Sequence, residues 1–278
     1  MPRVTPDQIR QMKERGERIP MLTAYDYPTA KMLDAAGLPM LLVGDSMGNV
    51  VLGYETTLPV TLDDIIRHTQ AVVRGTEHAL IVADLPFGTF QVSPEDTMRQ
   101  AARLMKEAAP QAVKLEGGIR SAESVRRLTD AGIPVMGHLG LTPQSVNTLG
   151  HRVQGKTEAA ARALLADAAA LESAGVFAIV LELVPAELAR LVTERVSVPT
   201  IGIGAGVWCD GEVQVLHDIL GLFPDFTPRH TKRYAELGAA VRDAATAYMT
   251  EVRERTFPTE KQSSPIDSAV IDALRRDA

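Results

Sequence analysis

A parallel (β/α)8 TIM barrel is the fold class that this sequence predicts, and three observations predict it. Short apolar runs repeatedly end in a polar residue or in glycine: Met40–Val43 before Gly44-Asp45-Ser46, Leu80–Ala83 before Asp84, and Ala112 and Val113 leading into Lys114 and Glu116. The pattern continues with Val135–Gly137 before His138, Phe177–Leu181 before Glu182, and Thr200–Ile203 before a run of glycines. The stretches between them read as helices, several closed by one signal: Ala36-Gly37-Leu38-Pro39, Ala131-Gly132-Ile133-Pro134 and Ala174-Gly175-Val176. Aromatic residues are only 4% of the chain against 45% hydrophobic, which suits parallel strands covered by helices better than a β-sandwich.

Taken in order, residues 1–19 form a polar amphipathic segment capping one end of the domain, and Pro20–Tyr25 is the first strand. A short helix over 28–36 follows, and the second strand ends at Asp45. Residues 49–60 are loop. Thr61 caps a helix over 62–74, with Asp64 positioned to complete a capping box. The third strand ends at Asp84. Ser93-Pro94-Glu95-Asp96 supplies a cap, a proline at the first helical position and acids in the first turn of a helix reaching about Ala108. The fourth strand carries Lys114 and Glu116. A helix over 121–131 leads to the fifth strand, Pro134–His138, and a polar loop over 140–156. Thr157 opens an Ala/Leu-rich helix whose apolar face is Leu164, Leu165, Ala168 and Leu171. The sixth strand ends at Glu182, a helix runs from Pro185 to Arg195, and the seventh strand is Thr200–Ile203. The eighth strand is placed near Ile219–Leu222. A helix over 230–252, an extended segment over 256–264 and a short helix over 265–276 complete the chain. The expected organisation is one catalytic barrel over residues 1–255, with a C-terminal extension over 256–278.

Composition excludes several classes. Net charge is −6 and no basic stripe is interleaved with aromatics, so nucleic acid is not an expected partner. The single cysteine, Cys209, cannot form an internal disulfide or a Cys-rich zinc site, and it reads as a packing residue. MPRVTPDQIR has no apolar core of a secretory signal, and the apolar runs fall far short of the roughly 20 residues needed to cross a bilayer. A cytoplasmic protein is expected.

Parallel barrels place their active sites at the C-terminal strand ends, where the polar residues fall. Asp45, Asp84 and Glu116 at one mouth would repel one another unless a cation or proton compensates, and an oxygen-only donor set suits Mg2+. As isolated residues, each carboxylate could equally be a helix cap or loop charge. Lys114 shares a face with Glu116, two residues away along a strand; it could stabilise a developing oxyanion or simply pair with an acid. Glu182, across the barrel, is the candidate general base, since an apolar strand leads into it. His138 could orient substrate or relay a proton, and Ser46 could hold a substrate carboxylate or merely make a turn. The run Gly202, Gly204, Gly206 is a poor dinucleotide fingerprint and better suits close backbone approach.

These strand-end residues sit in longer motifs: Thr23-Ala24-Tyr25-Asp26, Val43-Gly44-Asp45-Ser46, Thr57-Leu58-Pro59-Val60-Thr61, Ala83-Asp84-Leu85-Pro86-Phe87 and Val113-Lys114-Leu115-Glu116-Gly117-Gly118. Gly137–Asn147, Val153-Gln154-Gly155, Leu181-Glu182, Val184-Pro185, Ile201–Gly206, Asp210-Gly211 and His217-Asp218 continue the series. Together they resemble the ketopantoate hydroxymethyltransferase family over about residues 20–258. The resemblance implies a barrel of the phosphoenolpyruvate/pyruvate-binding type, usually a homo-oligomeric decamer. It implies transfer of the methylene of 5,10-methylenetetrahydrofolate to 3-methyl-2-oxobutanoate, giving 2-dehydropantoate for pantothenate and coenzyme A synthesis. By motif, Asp45 and Asp84 would ligate Mg2+, with Glu116 joining directly or through water. Ser46 and Lys114 would contact the keto acid, and Glu182 would accept the proton.

The segment Leu149–Val153 is shorter than the family's glycine-glycine-tyrosine loop, and the tail after about Ser264 extends past the usual family end. The alternative is another Mg2+-dependent 2-oxo acid lyase of the same superfamily. Such lyases often use a loop cysteine, and Cys209 lies outside a plausible lid. A non-catalytic binding barrel and a nicotinamide oxidoreductase are further alternatives with less in the sequence behind them.

Overall fold

The computed structural model describes residues 2–223 and 227–276; residues 277 and 278, the last of the expected extension, lie outside that range. Eight parallel strands close into a barrel in chain order. They are β1 (Ile19–Thr23), β2 (Met40–Val43), β3 (Leu80–Asp84), β4 (Ala112–Glu116), β5 (Val135–Gly140), β6 (Ala178–Glu182), β7 (Thr200–Ile203) and β8 (Gly211–Gln214). The helices are α1 (Pro6–Glu14), α2 (Tyr27–Ala35), α3 (Met47–Val50), α4 (Leu62–Gly75), α5 (Pro94–Ala108), α6 (Ala122–Asp130), α7 (Val146–Leu149), α8 (Glu158–Ser173), α9 (Ala186–Arg195), α10 (Leu216–Ile219), α11 (Leu237–Glu254) and α12 (Ser268–Arg276).

The helix starts follow their caps. Thr61 and Asp64 form a reciprocal capping box at α4, and Ser93 accepts from the Asp96 N–H ahead of α5. Thr157 does the same at α8, whose Leu164, Ala168 and Leu171 are buried; Leu165 is partly buried. Each βα unit thus carries its own start and stop signals, and packing of the apolar helix faces on the barrel does the rest.

Side-chain alternation along the strands divides the core in two. Met40 and Leu42, Leu80 and Val82, Ala112, Met136, Ala178 and Val180 point inward into one cluster. Leu41 and Val43, Ile81 and Ala83, Val113 and Leu115, Val135 and Leu139, and Ile179 and Leu181 point outward to the helices in the other. Continuing the inward parity of β3, β4, β5 and β6 by one or two steps reaches Asp84, Lys114, Glu116, His138 and Glu182. The same alternation that builds the core therefore delivers these polar groups to the C-terminal mouth. The opposite end is plugged by α1: Ile9 joins the inner cluster. The ammonium of Lys13 lies 3.0 Å from Asp210 Oδ2 and donates to the carbonyls of Thr193, Val196 and Val198.

The structure corrects several sequence expectations. The eighth strand is Gly211–Gln214, not Ile219–Leu222, which belongs to α10 and its end. β8 is short and polar, with Val213 its one buried residue, so it carries no apolar run to read. The expected loops over 49–60 and 140–156 contain α3, a 3-10 turn at Pro143–Ser145 and α7. The helix expected from residue 230 starts at Leu237, because the preceding backbone turns back on α10: the Tyr234 N–H donates to Ile219 O and the Leu237 N–H to Leu220 O. The segment 256–264 is not wholly extended, since Glu260–Gln262 forms a 3-10 turn capped by Thr259. Neither α11 nor α12 has a buried residue.

Candidate active site

Strand register sets which mouth residues meet. Asp84 on β3 pairs with Lys114 on β4, and Glu116 on β4 pairs with His138 on β5. Lys114 Nζ lies 2.8 Å from Asp84 Oδ1, with both side chains buried. His138 Nδ1 is 3.6 Å from Glu116 Oε1, while its Nε2 is 3.2 Å from Glu182 Oε2 on β6. Asp45, two residues past β2, donates its backbone N–H to Asp84 Oδ2 at 2.9 Å. Ser46 shares a 2.8 Å hydrogen bond with the Tyr25 hydroxyl. Asp45, Ser46, Asp84, Lys114, His138 and Glu182 line one cavity of about 250 Å³, the volume of a small acid rather than of a large cofactor. Glu116 lines the adjoining cavity instead and meets this one through His138, 3.6 Å away.

The electrostatics are those of a crowded, buried acid cluster. Burial pushes the Asp45 carboxyl up, and the charges of Asp84 and Glu116 add to the effect against Lys114 and Gln144, bringing it to about 7. Burial alone would lower Lys114; the carboxylates of Asp84, Asp45 and Glu116 outweigh it and hold the ammonium charged. Burial and Lys114 likewise oppose charge on His138, but hydrogen bonding to Glu116 and Glu182 prevails and lifts it to about 9. The two acids flanking the ring thus favour its charged form, against the Lys114 ammonium 3.4 Å from Nδ1.

The donor set fits a hard cation. Burial and the neighbouring carboxylates both oppose charge on Asp45, which a cation would relieve, and Glu116 Oε1 is buried without a hydrogen-bond donor within 3.5 Å. Among the described residues no three His, Cys, Asp or Glu side chains form a ready-made cation cage. Mg2+ held by one or two carboxylates, with water and substrate oxygens completing its shell, needs no such cage.

Residues 3–260 match the model of the ketopantoate hydroxymethyltransferase family. The chain belongs to that family. It is 59% identical over 98% of its length to 3-methyl-2-oxobutanoate hydroxymethyltransferase of Chloroflexus aurantiacus, covering 96% of that protein. The corresponding protein of Gluconacetobacter diazotrophicus is 62% identical over 94% of this chain and 95% of its own. In fold, the chain resembles phosphoenolpyruvate phosphomutase from Streptomyces platensis subsp. rosaceus, with a TM-score of 0.60 at 14% identity, covering 98% of this chain and 96% of that one. The closed (β/α)8 barrel expected from the sequence is therefore the fold this family member has.

All seven residues predicted for the site meet at the same mouth. Cys209 does not: it packs in the outer cluster among the helices, and burial pushes its thiol up to about 11. Two participants escaped the sequence reading. Tyr25 stands in the first quoted motif yet carries no signal that its hydroxyl turns onto Ser46. Gln144 is one amide among several in a polar loop, and only the folded chain places it on the acids. No described helix is long and apolar enough to cross a membrane.

Proposed function

We propose that this chain transfers a hydroxymethyl group from 5,10-methylenetetrahydrofolate to 3-methyl-2-oxobutanoate, giving 2-dehydropantoate on the route to pantothenate and coenzyme A. Full-length membership of the ketopantoate hydroxymethyltransferase family carries the reading. It is supported by a cavity that combines a cation-ready acid cluster with a carboxylate base on the facing strand.

Asp45 and Asp84 would hold Mg2+ with Glu116 beside them, and the cation when bound supplies Lewis acidity to the oxygens of the keto acid. Ser46, oriented by Tyr25, receives the substrate carboxylate. Glu182 takes the proton from the carbon next to the ketone, and that electron pair moves toward the keto oxygen. The buried Lys114 ammonium faces the negative charge that develops there. The carbon then attacks the folate-borne methylene as one of its two carbon–nitrogen bonds opens; water displaces the second nitrogen and supplies the hydroxyl, and the proton from the keto acid and one from water go to the two nitrogens of the released tetrahydrofolate. His138, charged and 3.2 Å from Glu182, fixes the base and passes its effect to Glu116.

Residues 1–255 are proposed as the catalytic domain and 256–278 as an extension. A homo-oligomer, a decamer by family resemblance, is supported by Val241, Tyr248, Met249 and Val252, apolar residues of α11 left exposed. A cytoplasmic setting is proposed on the same family grounds. The direct test incubates the enzyme with 3-methyl-2-oxobutanoate, Mg2+ and methylenetetrahydrofolate and follows 2-dehydropantoate by mass spectrometry. Its appearance is expected. Cleavage of other 2-oxo acids without that product would instead assign a lyase.

A further inference from the structure

We infer that Gln144 is a positioning residue that decides which oxygens of Asp45 and Glu116 face the cation. The inference rests on the cation-binding reading of those acids. Gln144 sits in the 3-10 turn after β5 and is only 5% exposed, although the neighbouring loop is open to solvent. Its side-chain Nε2 donates to Asp45 Oδ2 at 2.9 Å and to Leu85 O at 3.1 Å. Its backbone N–H donates to Glu116 Oε2 at 3.2 Å. One residue thereby grips two of the three clustered acids, from strands that are not neighbours.

The amide cannot turn over. Leu85 O only accepts, so it requires the NH2 side of Gln144. Gln144 Oε1 receives the Nε2 of Gln91 at 3.1 Å, and Gln91 presents that nitrogen because its own Oε1 is held by the Gly88 N–H at 2.8 Å. Backbone groups at Gly88 and Leu85 therefore fix the direction of the whole chain of hydrogen bonds. Each acid thereby has one oxygen committed to Gln144, Asp45 Oδ2 and Glu116 Oε2. The network leaves Asp45 Oδ1 untouched, and it leaves Glu116 Oε1 buried 3.6 Å from His138 Nδ1. Asp84 is positioned by other groups, the Asp45 N–H at Oδ2 and the Lys114 ammonium at Oδ1, and each of these oxygens keeps a second lone pair for a cation.

The residue type follows from the task. A lysine or arginine would also donate, but its charge would compete with the cation for the same acids. A glutamate would add repulsion and lose the donors. A methionine fills the space and orients nothing. Partners that orient ligands in this way typically govern metal affinity by about 10–100-fold.

The test measures Mg2+ affinity by calorimetry for the full-length protein and for Gln144→Met and Gln91→Ala, with thermal melting alongside. Gln144→Met should weaken Mg2+ binding by about 10-fold or more. Gln91→Ala should shift it in the same direction by a smaller factor at an unchanged melting temperature, because Gln91 is exposed and touches none of the acids. Mg2+ affinity within twofold of the parent protein in both variants, whatever their melting temperatures, overturns the inference. If Gln144→Met does not fold, Gln91→Ala decides alone on the same criterion. A parent protein that binds no Mg2+ at millimolar concentration overturns the cation reading and this inference together, which separates the two failures.

Discussion

Glu182 is the residue on which the chemistry turns, and its isosteric amide separates proton transfer from binding. Glu182→Gln keeps the shape of the cavity and a polar neighbour for His138 but cannot accept a proton. Exchange at the carbon next to the ketone should fall at least about 100-fold, the usual scale of a general base, while keto acid binding changes little. Exchange at the parent rate in that variant would remove Glu182 from the role. Cys209 offers a contrast. Burial raises its thiol to about 11, so the thiolate is scarce at pH 8 in the native protein. Alkylation followed by mass spectrometry should be slow in buffer and fast in urea; fast native labelling would contradict the packed position. Of these residues Asp84, Lys114, Glu116, His138 and Glu182 were legible from sequence because each continues the inward parity of an apolar strand, and Asp45 because it follows Gly44 directly after one. Gln144 and Tyr25 were not, since nothing local says where a loop amide or a phenol will turn.

Among the elements, the turn before β3 depends on one carboxylate. Asp34, near the end of α2, accepts the backbone N–H groups of Glu77 at 2.9 Å, His78 at 3.1 Å and Ala79 at 2.7 Å. Burial by itself raises this carboxyl, but the three N–H bonds outweigh it and hold it below the ordinary value. A depressed folded-state value means stability that is present above the unfolded-state value and lost as pH falls through the folded one. Asp34→Asn should cost roughly 1–3 kcal/mol at pH 7, with the gap to the parent closing in acid. Urea unfolding across pH 7 to 3 checks this; a gap independent of pH would contradict it. At the end of β5, Gly140 has φ +94°, and a Cβ there would lie 2.1 Å from the Glu182 carbonyl oxygen. Gly140→Ala should therefore displace the base-bearing strand end and abolish proton exchange even where the protein still folds. β3 and β6 were readable as unbroken apolar runs, and β4 and β5 from the apolar residues that lead into Lys114 and His138. β8 was not, because a polar four-residue strand is defined by its neighbours β1 and β7 rather than by its own pattern.

For the whole molecule, the closed barrel joins three requirements that no single element meets: a dry acid cluster, a base across the mouth, and a plugged opposite end. Helix α11 adds a fourth property. Its eighteen residues include none that is buried, yet Val241, Tyr248, Met249 and Val252 are apolar and exposed. Sedimentation should accordingly find a homo-oligomer at micromolar concentration; a monomer there would contradict the proposed assembly. The most direct test of the central claim follows the proton on the carbon next to the ketone of 3-methyl-2-oxobutanoate in heavy water, with enzyme and Mg2+, with and without EDTA and the folate donor. Loss of that proton signal is expected with Mg2+ present, and its retention with EDTA. Retention in a folded, Mg2+-loaded sample, with and without the folate, would contradict that claim.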